Sequence, residues 1–179
     1  MPAKQISIPL LFGLIAAICS ILFVLGTWLG GPDVFIGPVS YLSVPMIVII
    51  AAVAAAIAKR ANAGILVFRS ALRISYGVLV LGIVAQNLFN WLLLNVIDPH
   101  FYQRLVPVLL TKAEKSYRQY GATDDQLRAA LDDIRTNNQF SLGRVITGTG
   151  FQLVLCFLIA LLIAVTVKSK QGLTPKPGQ

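Results

Sequence analysis

The chain has 179 residues, of which 56% are hydrophobic and 12% are charged, and its formal net charge is +8. Soluble globular domains usually hold about 45–50% apolar and about 25% charged residues, so this composition excludes an ordinary soluble protein. The polar remainder is too short for a soluble enzyme module. Length and composition indicate a single membrane domain, which we expect to cover residues 1–170.

Four long stretches contain no Asp, Glu, Lys or Arg: residues 6–29, 38–58, 74–97 and 145–167. A helix needs about 20 apolar residues to cross the core of a bilayer, and each stretch provides that length. Charged residues stand at most of their ends, namely Lys59, Arg73, Asp98, Arg144 and Lys168. The pattern predicts an all-α integral membrane protein with four transmembrane helices.

The first stretch resembles a secretory signal peptide only in part. It follows a basic residue, Lys4, but its apolar run is longer than the usual length of about 7–15 residues, and no tidy small-x-small site follows it. We therefore expect an uncleaved first span. A tight Gly/Pro loop, 30–38, should join it to the second span as an antiparallel hairpin.

Residues 59–73 link the second and third spans and are basic at both ends. We expect this segment to lie in the membrane interface, with Ile65, Leu66, Val67 and Phe68 dipping into lipid. Flanking basic residues of this kind also meet anionic lipid headgroups.

Amide side chains are the main polar feature within the spans. The third span carries Gln86, Asn87 and Asn90, and the fourth carries Gln152. Hydrogen bonds between spanning helices contribute about 0.6–2 kcal/mol each, so these amides can fix the helix register. They can also line a path or pocket for a small solute, a lipid headgroup or an ion. No span contains a charged residue, which argues against ion-coupled transport.

Residues 98–144 form the one long polar segment and predict a helical hairpin outside the membrane, between the third and fourth spans. Asp98 can cap a helix whose first position is Pro99, so this pair should form a membrane-exit helix cap. Pro107 should kink or restart this helix, and Gly121 should end it.

A second hairpin helix should begin at the capping box Thr123-Asp-Asp-Gln126 and end near Asn137. The spacing of its charges and those of the first helix suggests three i,i+4 ion pairs: Glu114–Arg118, Asp124–Arg128 and Arg128–Asp132. Four acids could in principle hold a divalent ion, but basic residues lie among them, so we expect a solvated face and no metal site. The acids are Asp124, Asp125, Asp132 and Asp133, and the basic residues are Arg128 and Arg135.

Small residues recur every four positions along the fourth span, together with one amide: Gly148, Gln152, Cys156, Ala160 and Ala164. Such a face lets helix backbones approach closely, within the bundle or against a partner protein. We expect the two cysteines, Cys19 and Cys156, to act as packing residues. The tail at 171–179 is polar with Pro and Gly and should be disordered.

The charge distribution predicts an orientation. If the N-terminus is cytoplasmic, the inner side carries eight basic residues and no acid, and the outer side carries seven basic and seven acidic residues. The inner set is Lys4, Lys59, Arg60, Arg69, Arg73, Lys168, Lys170 and Lys176. This asymmetry agrees with the positive-inside rule, so both termini should be cytoplasmic. The opposite orientation stays open, because the outer segment also contains Lys and Arg.

Catalytic and cofactor motifs are missing from the sequence. His100 is the single histidine, and there is no HExxH, GxSxG, P-loop or CxxC pattern. We expect no enzymatic activity, no cofactor and no metal. The basic residues flank apolar helices rather than forming a stripe with interleaved aromatics, so we expect no nucleic-acid partner.

Two segments resemble a known family: residues 68–101 and 159–170. The likeness rests on Phe68 and Ala71, on Ile97-Asp98-Pro99 with Phe101, and on the closing lysines, and it extends over nearly the whole chain. The chain resembles the bacterial membrane family catalogued as domain of unknown function 4199, found mostly in Gram-negative bacteria. The resemblance implies a multi-pass protein of the inner membrane and supplies no activity, so no functional residue is carried over.

Two hypotheses about function follow. The first is a non-enzymatic membrane subunit or scaffold that acts through helix faces and the hairpin, with the lipid bilayer and another membrane protein or a second copy as partners. The second is a passive transport or lipid-binding protein that uses the intramembrane amides. The second hypothesis predicts that Gln86, Asn87, Asn90 and Gln152 converge on one water-accessible cavity.

Overall fold

The computed structural model describes residues 8–168, and these residues contain helices and no strand. Four helices are long: α1 (Ile8–Leu29), α3 (Ser43–Ala61), α4 (Phe68–Leu92) and α7 (Leu142–Val167). Three are shorter: α2 (Pro32–Phe35), α5 (Pro99–Gln119) and α6 (Asp124–Thr136). A 3₁₀ turn, Pro38–Leu42, precedes α3, and a π turn, Leu93–Ile97, extends α4.

Four segments are long and apolar enough to cross a membrane: Ile8–Leu29, Pro38–Ala61, Phe68–Ile97 and Leu142–Val167. The prediction of an all-α protein with four such helices is therefore confirmed. Lys4, the start of the first predicted span and the predicted tail at 171–179 lie outside the described residues.

The link between the second and third spans is shorter than the predicted 59–73. α3 continues to Ala61 and α4 begins at Phe68, so residues 62–67 alone connect them. The prediction took charged residues as the ends of the helices. A helix can instead continue past the hydrocarbon core, because long basic side chains reach the interface from its last turns.

Leu66 departs from the prediction that it dips into lipid. It is 3% exposed and clusters with Ala58, Ala71 and Ala164. Its neighbours Ile65 and Val67 are exposed. Leu66 therefore closes this end of the bundle rather than anchoring it in lipid.

Helix α4 lies at the centre of the bundle and packs against α1, α3 and α7. It runs antiparallel to α7, because Asn87 contacts Gln152 near one end and Ala71 clusters with Ala164 near the other. Much of the surrounding core is alanine: Ala16, Ala51, Ala54, Ala55 and Ala160 are completely buried. Small side chains let helix backbones approach closely in a membrane, where dispersion contacts replace the hydrophobic effect.

The small-residue face of α7 is an internal helix contact. Cys156, Ala160 and Ala164 are buried in the bundle, and Gln152 is bonded to α4. Gly148, at the hairpin end of the same face, is exposed. The sequence left open whether this face packs within the bundle or against a partner protein. Most of it packs within the bundle.

The local signals of the hairpin are confirmed. Gly121, with φ +71°, follows α5, and the N–H of Ala122 donates to the Tyr117 carbonyl at 3.0 Å, as in a Schellman motif. Thr123 and Gln126 exchange backbone-to-side-chain bonds at 3.1 and 3.4 Å, which completes the predicted capping box.

Pro107 does not restart the helix, because α5 runs without interruption from Pro99 to Gln119. A proline inside a helix costs roughly 3 kcal/mol or more. Leu105 is completely buried and Leu109 packs against the same cluster, so tertiary contacts lie on both sides of the proline. These contacts offset the local cost.

One of the three predicted ion pairs is present. Glu114 and Arg118 meet at 3.0 Å, whereas Arg128 forms no ion pair within the described part of the chain. Two of the four aspartates of α6 form ion pairs that were not predicted: Asp132 pairs with Arg135 at 3.8 Å and Asp133 with Arg144 at 2.7 Å. The second pair joins the hairpin to the beginning of α7.

We expect the pair between Asp133 and Arg144 to make the hairpin acid-sensitive. Hydrogen bonds from Arg144, then Asn137 and Gln139, lower the pKa of Asp133 from 3.8 to about 2. Because the folded pKa is depressed, this stabilisation is present above pH 3.8 and is lost as the pH falls towards 2. The thermal unfolding midpoint of Asp133→Asn should therefore depend less on pH over that range than that of the wild type.

A matched control for this prediction is Asp125→Asn, since Asp125 forms no ion pair among the described residues. Its pH profile should follow the wild type. Equal pH dependence of the wild type and Asp133→Asn would show that Arg144 does not hold the carboxylate in this way.

Candidate functional site

Asp98 fixes the junction between the third span and the hairpin. Its Oδ1 accepts the Phe101 N–H at 3.0 Å, so it caps α5, and Pro99 is the first residue of that helix. Its Oδ2 accepts the indole N–H of Trp28 at 3.3 Å and pairs with Arg104 at 3.1 Å. The predicted cap is confirmed, and the same carboxylate also joins α1 to α5.

An aromatic cluster packs the hairpin against this end of the bundle. Phe35 of α2 meets Phe101 of α5 edge-on, with ring centroids 5.3 Å apart, and Phe140 lies 6.5 Å from Phe35. Leu93 and Leu94 of the π turn are buried in the same cluster. The hairpin is therefore held against α1, α2 and the end of α4.

A cavity of about 450 Å³, which we name the hairpin-side cavity, lies between the hairpin and the spans. α1, α5 and α6 supply most of its apolar wall, and α4 supplies two amides. The residues that line it include Phe23, Val24, Gln86, Asn90, Leu109, Lys112, Ala113 and Ile134. Its volume falls within the range of about 300–1,000 Å³ typical of small-molecule sites.

The four intramembrane amides do not all line this cavity, so the prediction that they converge on one cavity is wrong. Gln86 donates to Ser43 of α3 at 3.0 Å. Asn87 donates to Thr149 at 2.9 Å and to Gln152 at 2.6 Å, both on α7. Consecutive helix residues point about 100° apart, so Gln86 and Asn87 meet different neighbours.

Asn90 lies close both to Gln86 and to the set formed by Asn87 and Gln152. It lines the hairpin-side cavity together with Gln86, and it lines a second crevice of about 170 Å³ together with Asn87 and Gln152. Its side chain makes no hydrogen bond to any residue in the described ranges. Asn87, Thr149 and Gln152 therefore serve as a helix-to-helix clamp, whereas Gln86 and Asn90 face space that a ligand can occupy.

Lys112 is the residue of the site that the sequence did not identify. It lines the hairpin-side cavity, and its ammonium group donates to the carbonyls of Ile36 at 2.9 Å and Asp33 at 3.5 Å. The sequence holds one clue to its position. Lys112 follows Leu105 and Leu109 at helical spacing, on the apolar side of α5, where a lysine is unexpected.

A family described as "Protein of unknown function (DUF4199)" matches residues 11–169. The chain belongs to the DUF4199 family. The resemblance expected from residues 68–101 and 159–170 is confirmed, and the match includes the first span from Leu11 onwards, the other three spans, the hairpin and the residues that line the cavity. No curated protein matches the chain. No solved structure matches it either.

The site of this DUF4199 protein offers hydrogen-bonding groups and one cation. No group of three or more His, Cys, Asp or Glu lies close enough to hold a metal ion among residues 8–168. Two of the four α6 acids pair with arginines, Asp132 with Arg135 and Asp133 with Arg144. The arrangement can hold a ligand through amides, hydroxyls and one ammonium group, against an apolar wall.

Proposed function

We propose that the chain is a non-enzymatic membrane protein that binds an amphiphilic molecule in the hairpin-side cavity. The observation that carries the proposal is that an apolar wall, two amides and one lysine line the same cavity of about 450 Å³. Groups of this kind orient a ligand within an apolar pocket. The proposal takes up the lipid-binding hypothesis with a different residue set, in which Lys112 replaces Asn87 and Gln152.

Binding is favoured over passive transport because the bundle is closely packed on the other side of Gln86. Ile47, Val78 and Leu79 are buried there among the alanines of the core. Gln86 lies 11 residues before Ile97, the end of the third span, which is ~16 Å along the helix axis. The cavity thus enters about half the thickness of the bilayer and ends at a packed core.

Filling the cavity tests this function. Ala113 lines it, so Ala113→Trp should abolish retention of the amphiphile that co-purifies with the wild type in mild detergent, as measured by native mass spectrometry. Ala129→Trp on the exposed side of α6 is the matched control and should retain the wild-type amount. Equal retention by Ala113→Trp and the wild type, or none by the wild type, would contradict the proposal.

A membrane subunit or scaffold is the second candidate function. It is favoured by the first half of α7, where Gly143 and Gly150 have open space at the position of a Cβ atom. Such positions let another helix approach closely. A second protein that co-purifies at constant stoichiometry, and that is lost in Gly150→Leu, would support this role in place of ligand binding.

We further propose that the protein lies in the bacterial inner membrane with both termini in the cytoplasm and the hairpin outside. Five basic residues lie at the end of the bundle opposite the hairpin, in the last turn of α3, the first turns of α4 and the end of α7. They are Lys59, Arg60, Arg69, Arg73 and Lys168. No acidic residue accompanies them in these segments, in agreement with the positive-inside rule.

Single cysteines test this orientation in a background without Cys19 and Cys156. Tyr120→Cys, at the hairpin tip, should react with a membrane-impermeant maleimide in intact spheroplasts, because Tyr120 is 86% exposed. Asn62→Cys, at the end of the bundle opposite the hairpin, should react only after the spheroplasts are lysed. The reverse pattern would establish the opposite orientation.

A further inference from the structure

Lys112 has no acidic partner in the cavity. Both of its acceptors are backbone carbonyls, of Ile36 at 2.9 Å and of Asp33 at 3.5 Å. Asp33 and Lys112 both line a smaller neighbouring crevice, but the Asp33 carboxylate is not within the 4.0 Å of an ion pair. An ammonium group has three N–H donors, so one donor remains for a ligand, and no carboxylate of the described residues lies within 4.0 Å to neutralise the charge.

The amide end of the cavity is also left with bonding capacity. Gln86 donates to the Ser43 hydroxyl at 3.0 Å, and that hydroxyl donates in turn to the Ser40 carbonyl at 2.9 Å. Since the Ser43 proton is engaged, the amide of Gln86 must keep its N–H towards Ser43. Its carbonyl oxygen is then buried without a donor. This oxygen has almost no accessible surface, so the amide that is open to a ligand is that of Asn90, which lines the cavity and has no hydrogen-bond partner among the described residues.

Most of the other residues that line the cavity are apolar. They include Phe23 and Val24 of α1, Leu109 of α5 and Ile134 of α6. A purely anionic solute would leave this wall unused, and a neutral hydrocarbon would leave the charge of Lys112 unmatched. The lining therefore fits a molecule that carries an anionic group on an apolar chain.

From these observations we infer that the hairpin-side cavity binds an anionic amphiphile, whose phosphate or carboxylate contacts Lys112 and whose apolar chain lies along α1, α5 and α6. This inference rests on the proposed function and adds the charge of the ligand. The anionic group can belong to a phospholipid or to a free fatty acid. Because Lys112 lies on the hairpin, the charged end of the bound ligand lies at the membrane surface.

The test uses the full chain in detergent with phosphatidylglycerol, phosphatidylcholine or oleate added, and bound molecules are counted by native mass spectrometry. The wild type should retain phosphatidylglycerol or oleate about tenfold more strongly than phosphatidylcholine, because a charge-assisted hydrogen bond is worth about that factor. Retention of phosphatidylglycerol alone identifies a phospholipid site, and retention of oleate alone identifies a fatty-acid site.

Lys112→Gln should remove the preference for anionic molecules, and Lys112→Arg should keep it. Glutamine keeps N–H donors at the end of the side chain and removes the charge. Lys115→Gln removes an exposed positive charge from the same helix and should change nothing. Retention of all amphiphiles without charge preference would overturn the inference and leave the binding function in place. Retention of none would overturn both.

Discussion

Replacing Asp98 with alanine is expected to lower the free energy of unfolding by about 2–4 kcal/mol. Loss of the cap on α5 contributes about 1 kcal/mol, because the Phe101 N–H loses its acceptor. The half-buried indole N–H of Trp28 also loses its acceptor, and a hydrogen bond to a charged group contributes about 1.5–3 kcal/mol. Arg104 adds little, since its side chain is 59% exposed.

The two contributions can be separated with asparagine. Asp98→Asn keeps a good cap but cannot offer a second acceptor to Trp28, so its stability should fall between those of the wild type and Asp98→Ala. In a Trp28→Phe background the donor is gone, and Asp98→Asn should have little further effect. The cost of Asp98→Asn would have to be the same in both backgrounds if Trp28 and Asp98 were not coupled.

The measurement exploits the buried thiol of Cys156, which is 4% exposed in the core. In a Cys19→Ala background, a thiol-reactive dye reports the opening of the bundle during heating or titration with a denaturing detergent. A wild-type unfolding midpoint for Asp98→Ala would show that the junction does not depend on this carboxylate.

Features that depend on neighbouring residues could be predicted from the sequence. The cap at Asp98, the capping box at Thr123 and the stop at Gly121 each need a few consecutive residues of the right type, and the structure contains all three. The spans followed from the absence of charge over about 20 residues, which the bilayer itself requires.

Features that depend on distant contacts could not be predicted in this way. The spacing of Gln86, Asn87 and Asn90 on α4 shows which of them share a face, but not which neighbouring helix lies opposite each face. The pairing of Asp133 with Arg144, 11 residues further along the chain, lay outside the i,i+4 spacing on which the predicted ion pairs were based. The sequence likewise does not show the tertiary contacts of Leu105, which allow α5 to continue past Pro107.

The cavity is the clearest case. Its wall combines residues from α1, α4, α5 and α6, which no local pattern relates to one another. In the sequence, Lys112 is one of seven basic residues in the segment 98–144, and nothing there sets it apart except its spacing. The structure shows that α5 packs against the loop after α1, where Lys112 bonds to the Ile36 carbonyl. A lysine on the apolar side of an amphipathic helix is the kind of local contradiction that marks functional positions.

Substitution of Gly82 by leucine should destabilise the chain by about 1–3 kcal/mol or more, the usual cost of overpacking a closed core. A Cβ atom at Gly82 would lie 2.8 Å from Cγ2 of Ile47 and 3.3 Å from the Ala16 Cβ. Ile47 and Ala16 are completely buried, so neither can move into open space. The crossing of α1, α3 and α4 thus depends on a residue without a side chain.

Gly150→Leu is the matched control, because nothing lies within 4 Å of a Cβ atom at Gly150. Leucine is a better helix former than glycine, so this variant should be as stable as the wild type or slightly more stable. The unfolding midpoint of Gly82→Ala should fall between those of Gly82→Leu and Gly150→Leu, because the gain in helix propensity opposes the clash with Ile47. Equal unfolding midpoints for Gly82→Leu and Gly150→Leu in the Cys156 assay would show that α1, α3 and α4 do not cross as closely as described.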